Sequence, residues 1–122
     1  MGSRWYAVVV DAADPARLAR WWAEVLGHEI LDEDSNEVMV GSGGNVYPIL
    51  YFTTSSEPKV GKNRLHIDLS PDDRDAEVER LVNMGARHVD IGQGSSSWVV
   101  LADPEGNEFC VLRSRPRSPE AA

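Results

Sequence analysis

The chain has 122 residues, with 12 Lys plus Arg against 20 Asp plus Glu, a formal net charge of −8, and 42% hydrophobic and 26% charged residues. This is the composition of one soluble globular domain, and it excludes collagen-like, intrinsically disordered and disulfide-stapled chains. Nucleic acids and anionic membranes are held by Lys and Arg, so the acidic balance argues against both as partners.

Arg4 to Asp11 is rich in β-branched and aromatic residues and reads as a strand. A helix follows: Asp14 is placed to cap it, Pro15 suits its first position, Leu18, Trp21, Trp22 and Val25 form an apolar stripe, and Gly27 stops it. Three extended runs come next, His28 to Asp32, Glu37 to Val40 and Pro48 to Thr53, the last two separated by the turn-forming stretch Gly41 to Asn45.

The second half repeats this order. Arg64 to Leu69 alternates apolar and polar residues, which predicts a half-buried strand with His66 and Asp68 on one face and Leu65, Ile67 and Leu69 on the other. Ser70-Pro71-Asp72-Asp73 announces a helix with Val78, Leu81 and Val82 as its buried stripe and Gly85 as its stop. Arg87 to Ile91, Trp98 to Leu101 and Glu108 to Arg113 are extended runs, and Asp103 to Asn107 is a strong turn.

The chain therefore reads as α+β, a doubled βαβββ pattern. Module one spans 4–54, a polar linker 55–63 and module two 64–113, together a single domain over 1–113 with a flexible tail at 114–122. Two such modules can join into a cupped mixed β-sheet with the helices on the outside, a natural small-molecule site. No apolar run approaches the roughly 18 residues of a membrane span, and no basic patch and apolar core open the chain. With Cys110 as its one cysteine, an internal disulfide is excluded and a cytoplasmic setting is expected.

The doubled pattern, Trp21-Trp22 with Leu26-Gly27, the block Lys62 to Leu69 and the block Asp103 to Cys110 together resemble the vicinal oxygen chelate superfamily. That superfamily groups glyoxalase I, extradiol dioxygenases and bleomycin-resistance proteins, and the last two blocks look most like its small actinobacterial glyoxalase-like subfamily. Over nearly the whole chain, the resemblance implies a homodimer that binds a small organic molecule. Its alternative implication is a lyase or isomerase of the glyoxalase type that depends on His66, with or without a divalent metal.

Metal-using members place His and Glu ligands on the first and last strands of each module, and His66 stands at one of these positions. The matching position on the first strand of module one is Ala7 or Val8, and its last strand offers Leu50, Tyr51 or Phe52. The glutamate of the final strand is replaced by Cys110, with Glu108 on the same face about 7 Å away. No cofactor is expected: of the four metal-ligand positions only His66 matches, so the four-ligand metal site of the superfamily is largely absent. A divalent ion would find two ligands at most in His66 and Cys110, with Asp68 or Glu108 as an improvised third.

The expected site residues are thus His66 and Glu108 for proton transfer, and His66, Asp68, Trp98, Cys110 and Tyr51 for ligand binding. Each has a plainer reading. His66 and Asp68 can simply satisfy one another, Cys110 can be a small buried hydrophobe, and Glu108 can be solvated at a strand entrance. Trp98 can stack on a flat ligand or pack, whereas Trp21 and Trp22 lie on a core stripe. His88 and Asp90 read as an exposed edge, and Lys62 with Arg64 as a local basic cluster able to attract an anion.

Overall fold

The computed structural model describes residues 2–90 and 97–114. It divides into two compact units, Met1–Pro58 and Lys59–Ala122, whose boundary falls within the polar 55–63 stretch.

The first unit is built around the helix that the sequence announces. The side chain of Asp14 accepts from the Arg17 backbone N–H at 3.2 Å, Pro15 opens α1 (Pro15–Leu26), and Gly27 closes it at φ 65, a left-handed conformation that glycine adopts without a Cβ penalty. The four strands β1 (Ala7–Ala12), β2 (Glu29–Glu33), β3 (Glu37–Gly41) and β4 (Ile49–Thr54) form a sheet in the order β1-β4-β3-β2, with β1 parallel to β4 and the other pairs antiparallel.

Register sorts the two faces of this sheet. Val10, Phe52 and Val38 lie in one cross-strand row, and Val8, Leu50 and Val40 in the next. Phe52, Val38 and Val40 are fully buried, so this is the face that α1 covers with Leu18, Trp22 and Val25. Trp21 and Trp22 meet edge to face, with ring centroids 5.1 Å apart, and both are core residues. The opposite row, Val9, Tyr51 and Met39, is turned away from the helix, and Val9 is 60% exposed.

The second unit has the same order of elements: β5 (Asp68–Leu69), α2 (Arg74–Asn83), β6 (Arg87–His88), β7 (Val99–Ala102) and β8 (Glu108–Val111), in a sheet of order β5-β8-β7-β6. Asp73 caps α2 by accepting from Ala76 N–H at 3.1 Å. Leu69, Val111 and Val99 share a row, and Val99 lines a hollow with Val78 and Val82 of α2, which marks this as the helix-covered face. Asp68, Cys110 and Val100 form the row on the other face.

The helix N-caps and the first and last strands of the two modules repeat at one offset. Asp14 and Asp73, Val10 and Leu69, and Phe52 and Val111 are each 59 residues apart, and Val10 pairs with Phe52 as Leu69 pairs with Val111.

Two expectations need correction. The strand expected over Arg64 to Leu69 is reduced to Asp68–Leu69, and Leu65, expected on the buried face, is 86% exposed. In a continued parallel ladder the Glu108 carbonyl would accept from the backbone N–H of Ile67; it accepts from the Asn63 side chain instead, at 3.4 Å. The run expected from Arg87 is strand only to His88, although the Val89 backbone N–H still donates to the Val100 carbonyl at 3.1 Å, while Ile91 and the tail from 115 lie outside the described residues.

Candidate functional site

His66 and Asp68 approach within hydrogen-bond distance, Nε2 to Oδ1, at 2.9 Å, and their side chains are 44% and 49% exposed. Cys110 is the direct cross-strand partner of Asp68, its backbone N–H donates to the Ile67 carbonyl at 2.9 Å, and its side chain is buried. Burial pushes the Cys110 thiol pKa up, and the negative charge of Asp68 and the hydrogen bond to it push further the same way, against a smaller opposing pull from Lys62. The thiol is therefore protonated at neutral pH. One donor atom from each of His66, Asp68 and Cys110 lies within 4.8 Å of the other two, which makes them the convergent His/Cys/carboxylate cluster among the described residues.

Glu108 begins the same strand as Cys110 but is held elsewhere. Its carboxylate accepts from Lys59 Nζ at 3.1 Å and from the Asn63 backbone N–H at 3.0 Å, while Lys59 also donates to the Gly61 carbonyl. Partial burial acts to raise the Glu108 pKa, yet the Asn63 N–H, its own N–H and the Lys59 ammonium outweigh it and leave the group below its ordinary 4.5. The linker end is thereby clamped to β8, an arrangement that spacing along the sequence does not reveal.

The sign of this shift fixes a pH dependence. A depressed carboxylate stabilises the folded state above its unfolded pKa, and that contribution disappears as pH falls through the folded value. Glu108→Gln should therefore have a lower urea midpoint than the wild type at neutral pH, and the gap should close as the solution is taken below 4.5. Parallel loss of stability in both proteins across that range would show that the clamp does not carry it.

The remaining expected residues fall around the sheets as follows. Trp98 immediately precedes β7 and is 39% exposed. Tyr51 is half-buried on β4 of the first unit, on the face turned away from α1. His88 lies on β6, an edge strand, and lines the hollow beside α2. Lys62 and Arg64 are exposed, and Lys62 is near enough to Cys110 to act on its charge.

The 59-residue register settles what the first module offers in place of this cluster. His66, Asp68 and Cys110 correspond to Ala7, Val9 and Tyr51, and Val9 pairs with Tyr51 as Asp68 pairs with Cys110. Two apolar side chains and a phenol supply no carboxylate or imidazole, so a donor set drawn from both modules does not fit this chain.

A family model described as a glyoxalase-like domain matches residues 7–112. The chain belongs to the glyoxalase-like domain family. This places the glyoxalase-like protein in the vicinal oxygen chelate superfamily. Its fold is shared with a glyoxalase/bleomycin resistance protein/dioxygenase family enzyme from Burkholderia phytofirmans PsJN, at TM-score 0.67 and 18% identity, over 86% of this chain and 94% of that one. Glyoxalase I of Leishmania major, described as trypanothione-dependent, gives 0.66 at 18% identity, over 92% and 87%. The bleomycin-binding protein of Streptomyces verticillus, solved with copper(II)-bleomycin, gives 0.59 at 18%, over 94% and 99%. At these identities the likeness concerns the fold alone. No curated protein matches the chain. No helix among the described residues is long and apolar enough to cross a membrane.

Proposed function

We propose that this glyoxalase-like protein binds a small organic molecule, with His66 and Asp68 as its polar anchors. The observation that supports this reading is the His66–Asp68 pair itself: two polar side chains, each nearly half exposed, held at 2.9 Å, with Asp68 on the sheet face turned away from α2. Exposed groups that the core does not need are free to meet a ligand. Trp98 supplies aromatic surface, Cys110 lies beside Asp68, and Tyr51 is the corresponding group of the first module. The net charge of −8 favours neutral or cationic ligands, except near Lys62 and Arg64. Assembly as a homodimer in the cytoplasm belongs to the same reading, and the exposed Trp5, Val60 and Leu65 support a second copy.

A second reading, a lyase or isomerase of the glyoxalase type, draws on the same contact. Asp68 at 2.9 Å fixes the orientation of the imidazole, as a proton-transferring histidine requires. His66 would move the proton, and Glu108 would take part as an ionised carboxylate held by Lys59 and Asn63.

Substitution of His66 separates the two readings. A thermal-shift screen of small carbonyl and aromatic compounds should find a binder that stabilises the wild type and stabilises His66→Ala less. For a carrier, that weakening is the whole effect. For an enzyme, conversion of the bound compound falls by about a hundredfold or more while binding survives. Equal stabilisation of both proteins by every binder would remove His66 from the site.

A further inference from the structure

We propose that the hollow that α2 forms with β6 and β7 is a second binding site, one that takes a small organic ammonium with a flat apolar body. It lies on the helix-covered face of the second sheet, opposite the row of Asp68 and Cys110, so the inference goes beyond the His66–Asp68 reading and stands without it.

The hollow follows from what α2 lacks. Counted from the capping aspartates, Arg80 and Leu81 of α2 stand where α1 has Trp21 and Trp22. Both indoles are buried in the first unit, whereas α2 buries Leu81 alone. Aromatic side chains bury roughly 150–250 Å² each, and a leucine beside a surface arginine leaves part of that layer unfilled. Val78 and Val82, expected with Leu81 in the buried stripe, stop short accordingly: Val78 is half-buried and Val82 is 38% exposed. With Val99 of β7 they give an apolar floor to a hollow of about 390 Å³, a volume at the lower end for small-molecule sites.

The walls set the charge of the occupant. Asp75, Glu79 and Asn83 follow at i, i+4 spacing along α2 and form a polar row beside Val78 and Val82. Asp75 is tied to Arg74 at 3.0 Å, and Arg74 also donates to the Ser97 carbonyl at 2.8 Å. The Glu79 carboxylate has no hydrogen bond or ion pair among the described residues, and neither have the side chains of Asn83 and His88. Among those residues no Lys or Arg lines the hollow. A cation is therefore drawn to Glu79, in a chain whose net charge is −8, while an anion meets two carboxylates. Asn83 and, from β6, His88 offer acceptors for the N–H groups of an ammonium. Its apolar body covers the three valines, in the layer that indoles occupy in the first unit.

Tryptamine is the probe, with tryptophol as its uncharged and indole-3-propionate as its anionic counterpart. Titrated into the full-length protein at neutral pH and followed by amide chemical shifts, tryptamine should move the signals of Val78, Val82, His88 and Val99. Its affinity should exceed that of tryptophol by the roughly two- to fivefold of an exposed ion pair, with indole-3-propionate the weakest of the three. Glu79→Gln should remove that excess alone, lowering tryptamine to the tryptophol value and leaving tryptophol unchanged. Val82→Ser, which alters a side chain already exposed, should weaken both compounds alike. His66→Ala should leave the tryptamine affinity as it is, which separates this site from the one on the other face. The absence of shifts at the four positions overturns the proposal, as do shifts centred on His66 and Asp68. Equal affinity for indole-3-propionate and tryptamine, or an unaltered tryptamine affinity in Glu79→Gln, overturns it as well.

Discussion

Phe52→Ala should lower the unfolding free energy by about 4 kcal/mol, read as a shift of the urea midpoint at unchanged slope. Phe52 is fully buried and sits in the second position of the β1-β4-β3 sheet, in one row with Val10 and Val38 and under α1. Truncation removes most of a ring from a place where neighbours on both flanking strands are fixed by backbone ladders and cannot collapse into the space. The loss therefore combines the transfer term with a cavity term. Measured against the roughly 5–15 kcal/mol that holds a domain of this size together, it brings the protein close to its unfolding threshold. Val9→Ala is the matched control: it lies one residue from the Phe52 row on the same sheet, but on the face turned away from α1, at 60% exposure. Its expected effect is within about 0.5 kcal/mol. Equal effects at the two positions would mean that the faces have been assigned the wrong way round.

The same contrast explains what was legible in the sequence. Helix α1 was readable to the residue because its limits are set by local chemistry: an Asp14 side chain that reaches the Arg17 N–H, a proline at the first position and a glycine at φ 65. The doubled pattern was readable because both modules use the same local signals in the same order, with the helix N-caps Asp14 and Asp73 59 residues apart. Strand β5 was not readable at its true length. Alternation within Arg64 to Leu69 describes the side chains, whereas the place where the ladder stops is marked by a contact the sequence does not show, the Asn63 side chain donating to the Glu108 carbonyl 45 residues away. The same clamp explains Glu108, which looked as free as His66 in the sequence and is bound by Lys59 and Asn63 in the structure. The choice between Ala7 and Val8 as the counterpart of His66 also needed register, and the ladder of β1 on β4 selects Ala7. The sequence reading placed Asp68 and Cys110 on the strands that carry them, β5 and β8, whereas His66 lies two residues before β5 begins. It could not convey that Asp68 lies between the other two, because that depends on a cross-strand pairing.

Asp103→Ala should cost about 3 kcal/mol, more than any other substitution outside the apolar core. Asp103 is the one buried charged residue among those described, at 0% exposure. The sequence showed it only as the first letter of a turn. Its Oδ1 accepts from the backbone N–H groups of Glu105 at 2.9 Å and Asn107 at 3.0 Å, and Oδ2 accepts from the Asn107 side-chain amide at 3.0 Å. These bonds hold the β7–β8 connection, with Gly106 at φ 89, a conformation that suits glycine. Alanine would leave the Glu105 and Asn107 donors without their acceptor, and an unsatisfied buried donor costs more than the bond itself contributes. Asp103→Asn divides the effect. Its amide oxygen can keep the two backbone donors, but its NH₂ would face the Asn107 NH₂, donor against donor, so roughly half of the loss is expected. The order alanine, asparagine, wild type in rising urea midpoint is the outcome that supports this account. An asparagine variant as stable as the wild type would show that the second oxygen and its charge contribute nothing. The consequence reaches the site, because β8 carries Cys110 three residues after Asn107. A loosened connection should therefore also weaken binding of a compound that stabilises the wild type through His66 and Asp68.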